Sequence, residues 1–339
     1  MVTLKDVARQ AGLSVTTVSR ALNAYDDVAA ETRAHVERVA SELGYHPNHI
    51  ARSLQGTRAY AVGLVIPQLV HRYVDSFWQE FIAGVTSTCG EAGFDLVLCT
   101  GKDLHAEQAH YQRLVRTRRV DGVILCDARV RDQRISFLRQ SHAPFVAFGR
   151  VLGHDDFSWV DVDGTTGVRT AVDYLLSLGH RRIGYLGTPT AFSFTHFRHE
   201  GYVDALFAAG LDYDERLILE DLDVASELQA PIMELMNLQE PPTALIACAD
   251  YLAAGALRAV RSLGIRVPED LSLVAFDDTL VSQHTEPPMT SIRQDNQLIG
   301  SRVATVLIQQ LLGDGLPPSH ELIQPSLVVR QSTAPLPAA

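Results

Sequence analysis

The 339-residue chain has no surplus of positive charge: 29 Lys and Arg stand against 40 Asp and Glu, a net charge of −11. Taken whole, that balance argues against a polyanionic partner. No apolar run approaches the roughly 20 residues that a membrane span needs, so no membrane association is expected. The opening MVTLKDVARQAG lacks the basic-then-apolar order of an export signal, and the expectation is a cytoplasmic protein. Cysteine is scarce. Cys89, Cys99, Cys126 and Cys248 form no C-x-x-C pair, so neither a zinc site nor a redox dithiol is indicated, and buried free thiols are expected. The thirteen histidines offer no spaced metal set; His196 and His199, flanking Arg198, are a weak signal. Neither a G-x-S-x-G nucleophile turn nor a G-x-x-x-x-G-K-[ST] phosphate loop occurs. An enzyme, a cofactor and a metal are therefore not expected.

What is present begins with uneven charge. Residues 1–58 hold seven basic and six acidic side chains, leaving −12 on the remainder. Such asymmetry prompts a search for a small polyanion-binding module on an acidic partner domain. Residues 3–23 read as two short helices. Thr3 and Asp6 give a capping signal, and Leu4, Val7, Ala8 and Ala11 recur at helical spacing. Gly12 supplies a turn, and Ser14 caps a second helix through Val15, Val18 and Leu22. A third helix runs from about Ala30, with Val36, Val39, Ala40 and Leu43 on one face, to Gly44. The spacing of Ala8, Gly12 and Val18 is that of a helix-turn-helix, whose second helix enters the DNA major groove. A plain helical bundle packed on the main domain is the rival reading. After Pro47, Asn48 can cap a helix ending at Gly56, too short to persist without a partner.

From Ala61 apolar runs alternate with amphipathic segments. Strands are predicted at 61–66, 95–99, 122–126 and 145–148, then at 182–186, 217–219, 244–248 and 272–276. Helices are predicted between them at 77–92, 106–117, 166–178, 198–209 and 252–263. This alternation means parallel sheets covered on both faces. The expected fold class is an all-α helix-turn-helix headpiece plus an α/β core of two doubly wound parallel-sheet lobes. A ligand would bind beyond the carboxyl ends of the strands. The expected domains are residues 1–46, a hinge at 47–58, and a core at 59–339.

The segments TLKDVARQAGLSVTTVSRALN and VAAETRAHVERVASELGYHPNHIARSL strongly resemble the headpiece and hinge of the LacI/GalR family of bacterial transcription regulators. AVGLVIP, RHEGY, GALRAVRSLGIRVPEDLSLVAFDD and PPMTSIRQD extend the resemblance along the core, which is also similar to periplasmic sugar-binding proteins. The resemblance implies a homodimer on a pseudo-palindromic operator, with a small-molecule effector, a sugar by expectation, in the cleft. No leucine heptad follows the last strand-like segment, so a tetramer is not expected.

By that resemblance Val15, Thr16 and Arg20 read base edges. Arginine suits guanine, valine a thymine methyl, and threonine either kind of contact. Thr3, Ser14, Thr17, Ser19 and Asn23 fall to phosphate contacts or capping. Alternatively Val15 is core and Arg20 a solvated surface charge. Leu54 sits where the family's hinge leucine wedges into the minor groove, or else it anchors a linker. Ala51 permits close packing of paired hinge helices, and Asn48 and Arg52 reach the backbone. In the cleft, Arg198 and Asp277 match the family's effector-binding arginine and aspartate, a donor fork and fixed acceptor for sugar hydroxyls. Phe77, Trp78 and Trp159 match cleft-lining positions, each alternatively a core aromatic. Arg150 and Asn296 are further candidates, Arg150 alternatively a surface ion pair. Many relatives carry Asn-Asp where this chain has Ala249-Asp250, so Asp250 acts alone or is structural. The leading expectation is a sugar-released repressor of carbohydrate-use genes. A purine-type corepressor stacked on Phe77 and Trp78, and a solute-binding receptor, are the alternatives.

Overall fold

The structure, a computed structural model, describes residues 2–22, 25, 27–45, 58–67, 76–222, 227–313 and 315–336. The chain divides into two compact units, Met1–Tyr60 and Ala61–Ala339. Asn23, Asn48, Ala51, Arg52 and Leu54 lie outside the described residues.

In the first unit, α1 (Leu4–Ala11), α2 (Val15–Leu22) and α3 (Ala30–Glu42) enclose a small core of Val7, Ala8, Val18, Ala21, Val36, Val39 and Ala40. The Thr3 amide and hydroxyl both donate to the Asp6 carboxylate, holding its pKa below the ordinary value. Gly12, with φ of +67°, turns the chain into α2. The Ser14 hydroxyl accepts from the Thr17 amide at 3.0 Å and so caps α2.

The second unit contains two six-stranded sheets. Lobe 1 is built from β1 (Ala61–Pro67), α4 (Ser76–Glu91), β2 (Asp95–Gly101), α5 (Leu104–Arg116), β3 (Gly122–Leu125), α6 (Gln133–Gln140), β4 (Phe145–Phe148) and β5 (Ser158–Val162). Lobe 2 follows with α7 (Gly164–Ser177), β6 (Ile183–Leu186), α8 (Ser193–Ala208), β7 (Ile218–Leu219), α9 (Gln229–Met236), β8 (Ala244–Ala247), α10 (Asp250–Ser262), β9 (Ser272–Asp277), α11 (Leu280–His284) and β10 (Thr290–Arg293). The chain then returns to lobe 1 through α12 (Asn296–Leu312) and β11 (His320–Ile323), and ends on lobe 2 with β12 (Ser326–Val328). The sheet orders are β11-β5-β4-β3-β1-β2 and β12-β10-β9-β8-β6-β7, parallel throughout except where β12 meets β10. β3, β6 and β8 are buried along their whole length, as sheets covered on both faces require.

Two features depart from the sequence expectation. β5, β10, β11 and β12 were not among the predicted strands, and the lobes do not follow one another cleanly. Three passages cross between the sheets, at 163, 294–295 and 324–325. The first and third are tied together by the Asp163 amide, which donates to the Ile323 carbonyl at 2.9 Å, and by Gln324, whose amide reaches the Asp163 carboxylate. The four cysteines are all buried as free thiols, and burial pushes Cys89 up to about 11 and Cys248 up to about 12.

Candidate functional site

On α2, Val18 and Ala21 turn inward while Val15, Thr16 and Arg20 turn outward, with Val15 41% exposed. That exposure excludes the core alternative for Val15. Thr3 and Ser14 are exposed beside this face, and Thr17 and Ser19 are half-buried. Arg20 does not extend freely into solvent. Its Nε lies 3.2 Å from one oxygen of Asp27, its Nη2 pairs with the other, and its guanidinium sits 5.0 Å from the centre of the Tyr25 ring.

Between the lobes lies a cleft of about 800 Å³, counting space open to solvent. Lobe 1 contributes Phe77 and Trp78 from the first turn of α4, Asp127 after β3, Phe148 and Gly149 at the end of β4, and Asp161 on β5. Lobe 2 contributes Thr188 after β6, Phe194, Phe197 and Arg198 from α8, Ala249 and Tyr251 around the start of α10, and Phe276 and Asp277 from β9. Most of these positions lie at the carboxyl ends of strands, where a parallel sheet leaves its crevice. Across the cleft edge the Val130 amide donates to the Ala191 carbonyl at 3.1 Å, and the Ser193 amide donates to Ala128 at 2.9 Å.

Arg198 is the centre of the polar floor. Its Nη1 donates to the Cys248 carbonyl, its Nη2 lies 3.5 Å from Asp277, and its guanidinium packs 3.8 Å from the Phe276 ring centre and 4.7 Å from that of Phe194. Gly164 makes room for it, since a Cβ there would come within 3.1 Å of the Arg198 Cγ. Asp277 is also fixed by Gln294, whose side-chain amide donates to it. Asp127 and Asp277 both have positive φ, +50° and +108°, a conformation retained where the surroundings over-determine it. Burial raises the Asp161 carboxyl to about 6 despite nearby Arg150 and Arg198.

Four predicted effector residues thus share the cleft: Phe77, Trp78, Arg198 and Asp277. The other four do not line it. Arg150 lies 3.3 Å from Asp161 and 3.8 Å from the Phe197 ring centre, behind the lining. Trp159 stacks on His320 with ring centres 4.9 Å apart. Asp250 is buried, accepting from the Thr279 amide and hydroxyl at 2.6 Å and from Ser282. The cleft position is its neighbour Ala249, which presents a methyl group. Asn296 donates to Glu80 at 3.0 Å, joining α12 to α4. Sequence reasoning missed Asp127, Asp161, Tyr251, Phe276 and Gln294. Strand-end placement was the signal available for Asp127 and Phe276. Asp161 was hidden because β5 was not recognised.

Comparison with known proteins agrees with this architecture. Residues 3–48 match "Bacterial regulatory proteins, lacI family" and residues 172–333 match "Periplasmic binding protein-like domain". The chain is 37% identical over 340 residues to the HTH-type transcriptional regulator AglR of Rhizobium meliloti, covering 99% of this chain and 95% of the relative. A solved structure described as the transcriptional regulator CelR-cellobiose complex is 35% identical, with a TM-score of 0.76 over 98% of this chain and all of that one. The lac repressor dimer bound to operator is 28% identical, with a TM-score of 0.77 over 98% and 99% of the two chains.

Proposed function

The chain belongs to the LacI family of bacterial transcriptional regulators, and from that premise we propose a homodimeric repressor of carbohydrate-use genes that a sugar releases from its operator. The relatives are regulators, and no catalytic role is assigned here. Val15, Thr16 and Arg20 read bases, because they are the outward residues of a helix whose opposite face is core. Thr3, Ser14, Thr17 and Ser19, with Asn23 in the same motif, position the helix on phosphates. Asn48, Ala51, Arg52 and Leu54 form the hinge contact, Leu54 as the minor-groove wedge.

The observation that carries the effector assignment is the Arg198–Asp277 pair, set among aromatic rings on the floor of the cleft. A fixed donor fork beside a fixed acceptor suits adjacent hydroxyls, and flat apolar faces suit the C–H face of a pyranose ring. Among the described residues, three carboxylates, Asp127, Asp161 and Asp277, and one cation, Arg198, line the cleft, so the electrostatics favour an uncharged ligand over an anionic one. Phe77 and Trp78 meet edge to face, 83° apart with centres at 5.2 Å, and do not form parallel jaws for a purine. A ligand touching both lobes prefers one lobe arrangement, and that differential affinity is what drives release.

Footprinting of purified protein on DNA upstream of its own and adjacent genes tests the DNA-binding part. A protected pseudo-palindrome lost in Arg20→Ala is expected. Protection that is absent, or that survives the substitution, contradicts the assignment.

A further inference from the structure

We propose that Asp27 is a positioning residue for base reading, holding the Arg20 guanidinium so that its end-on fork is presented to a guanine. The inference rests on Arg20 being a base-reading residue. An arginine has five N–H donors in one plane. Asp27 takes the side edge of that plane, with Nε donating to one carboxylate oxygen at 3.2 Å and Nη2 pairing with the other. Among the described residues, no other partner takes either Nη1 proton or the remaining Nη2 proton. These include the parallel pair at the tip that guanine O6 and N7 require. The carboxylate and the guanine therefore use different edges and do not compete.

The surroundings hold the arrangement from two more sides. The guanidinium lies over Tyr25, and the Tyr25 amide donates to the Arg20 carbonyl at 3.1 Å. The Tyr25 carbonyl in turn accepts from Arg33 Nη2 at 2.9 Å, tying the segment to α3. A free arginine of this length loses rotamer freedom when it docks on a base; one already braced loses less. The same carboxylate offsets the charge of Arg20, which weakens its pull on phosphates anywhere along the duplex. Both effects favour specific over non-specific binding, so Asp27 acts on discrimination more than on overall affinity. Arg20 and Asp27 remain about half-exposed, and the fork can be reached by DNA without unfolding the helix.

The test uses full-length protein and an operator duplex selected by the wild type from a random pool. Binding is measured by fluorescence anisotropy on that duplex, on variants with each base pair replaced, and on unrelated DNA. Asp27→Ala and Asp27→Asn are compared with wild type, Arg20→Ala and the double variant Asp27→Ala/Arg20→Ala, with thermal unfolding as the folding control. The expected result is an operator affinity lowered about threefold to tenfold. The penalty for replacing one G·C pair should shrink by a similar factor, and binding to unrelated DNA should be unchanged or stronger. In the Arg20→Ala background the Asp27 substitution should add nothing. An equal loss in that background, or unchanged base discrimination in a folded Asp27 variant, overturns the proposal. If Arg20→Ala itself leaves every base preference intact, the base-reading assignment fails first, and the proposal falls with it.

Discussion

Asp161 is a carboxylate almost closed off from water, 5% exposed on β5 at the wall of the cleft. Burial raises its pKa to about 6, above the ordinary 3.8, so between those values the folded chain binds a proton that the unfolded chain releases. Stability conferred by that proton is fully present below about pH 4 and is lost as pH rises through about 6. Two pKa units correspond to about 3 kcal/mol. Asp161→Asn should therefore be more stable than wild type at pH 7.5, with the difference shrinking toward pH 5. Chemical unfolding of both proteins across that range checks this, and a pH-independent difference contradicts it. At the same scale, residue type and motif position were legible for Phe77, Trp78, Arg198 and Asp277. Position in the motif did not reveal orientation for the rest. Trp159 was matched to the cleft, yet its ring finds His320 on the neighbouring strand. Asp250 follows the expected strand but caps the turn at Thr279 and Ser282 instead, a long-range partnership that no local pattern displays.

Among the elements, α4 and α12 approach each other closely in lobe 1. A Cβ on Gly300 would lie 2.1 Å from the Phe81 carbonyl oxygen, and one on Gly84 would lie 2.1 Å from that of Gln297. The two backbones touch because both positions lack a side chain. Gly300→Ala should force the helices apart at a cost of about 1–3 kcal/mol, seen as a lowered midpoint in thermal unfolding; an unchanged midpoint contradicts the close packing. Among the predicted helices, α5 and α10 pair one apolar face with a polar one. By contrast, α12 buries Ile299, Gly300, Val303, Ala304, Val306, Leu307 and Ile308. Its apolar residues surround too much of the axis to give a clear stripe. β10 (TSIR), β11 (HELI) and β12 (SLV) are about as short as several predicted strands, but none is an unbroken apolar run of the kind seen in β3 (GVIL) or β8 (ALIA).

For the whole molecule, alternating strands and helices revealed two parallel-sheet lobes, but not that the chain exchanges between them. An apolar helix such as α12 carries the same local pattern whichever sheet it covers, so only three-dimensional packing assigns it to lobe 1. The exchange matters for function. The crossings at 163 and 324–325 are hydrogen-bonded to each other, and none of the three crossings belongs to a strand, so a change of lobe angle there, the movement the proposed release requires, would leave both sheets intact. Gln294, at one crossing, also donates to the cleft residue Asp277, so crossing and cleft share a contact. Net charge illustrates the same limit of whole-chain quantities. The total of −11 spoke against DNA, while the outward face of α2 groups Val15, Thr16 and Arg20, the few placed residues proposed to read bases. Operator affinity measured with and without a panel of neutral sugars, for wild type and Arg198→Ala, tests the effector-controlled repressor most directly. At least one sugar should weaken wild-type operator binding at least tenfold, about 1.4 kcal/mol, while Arg198→Ala binds operator normally and ignores the sugar. Operator binding that no sugar alters, or that a sugar strengthens, would contradict it.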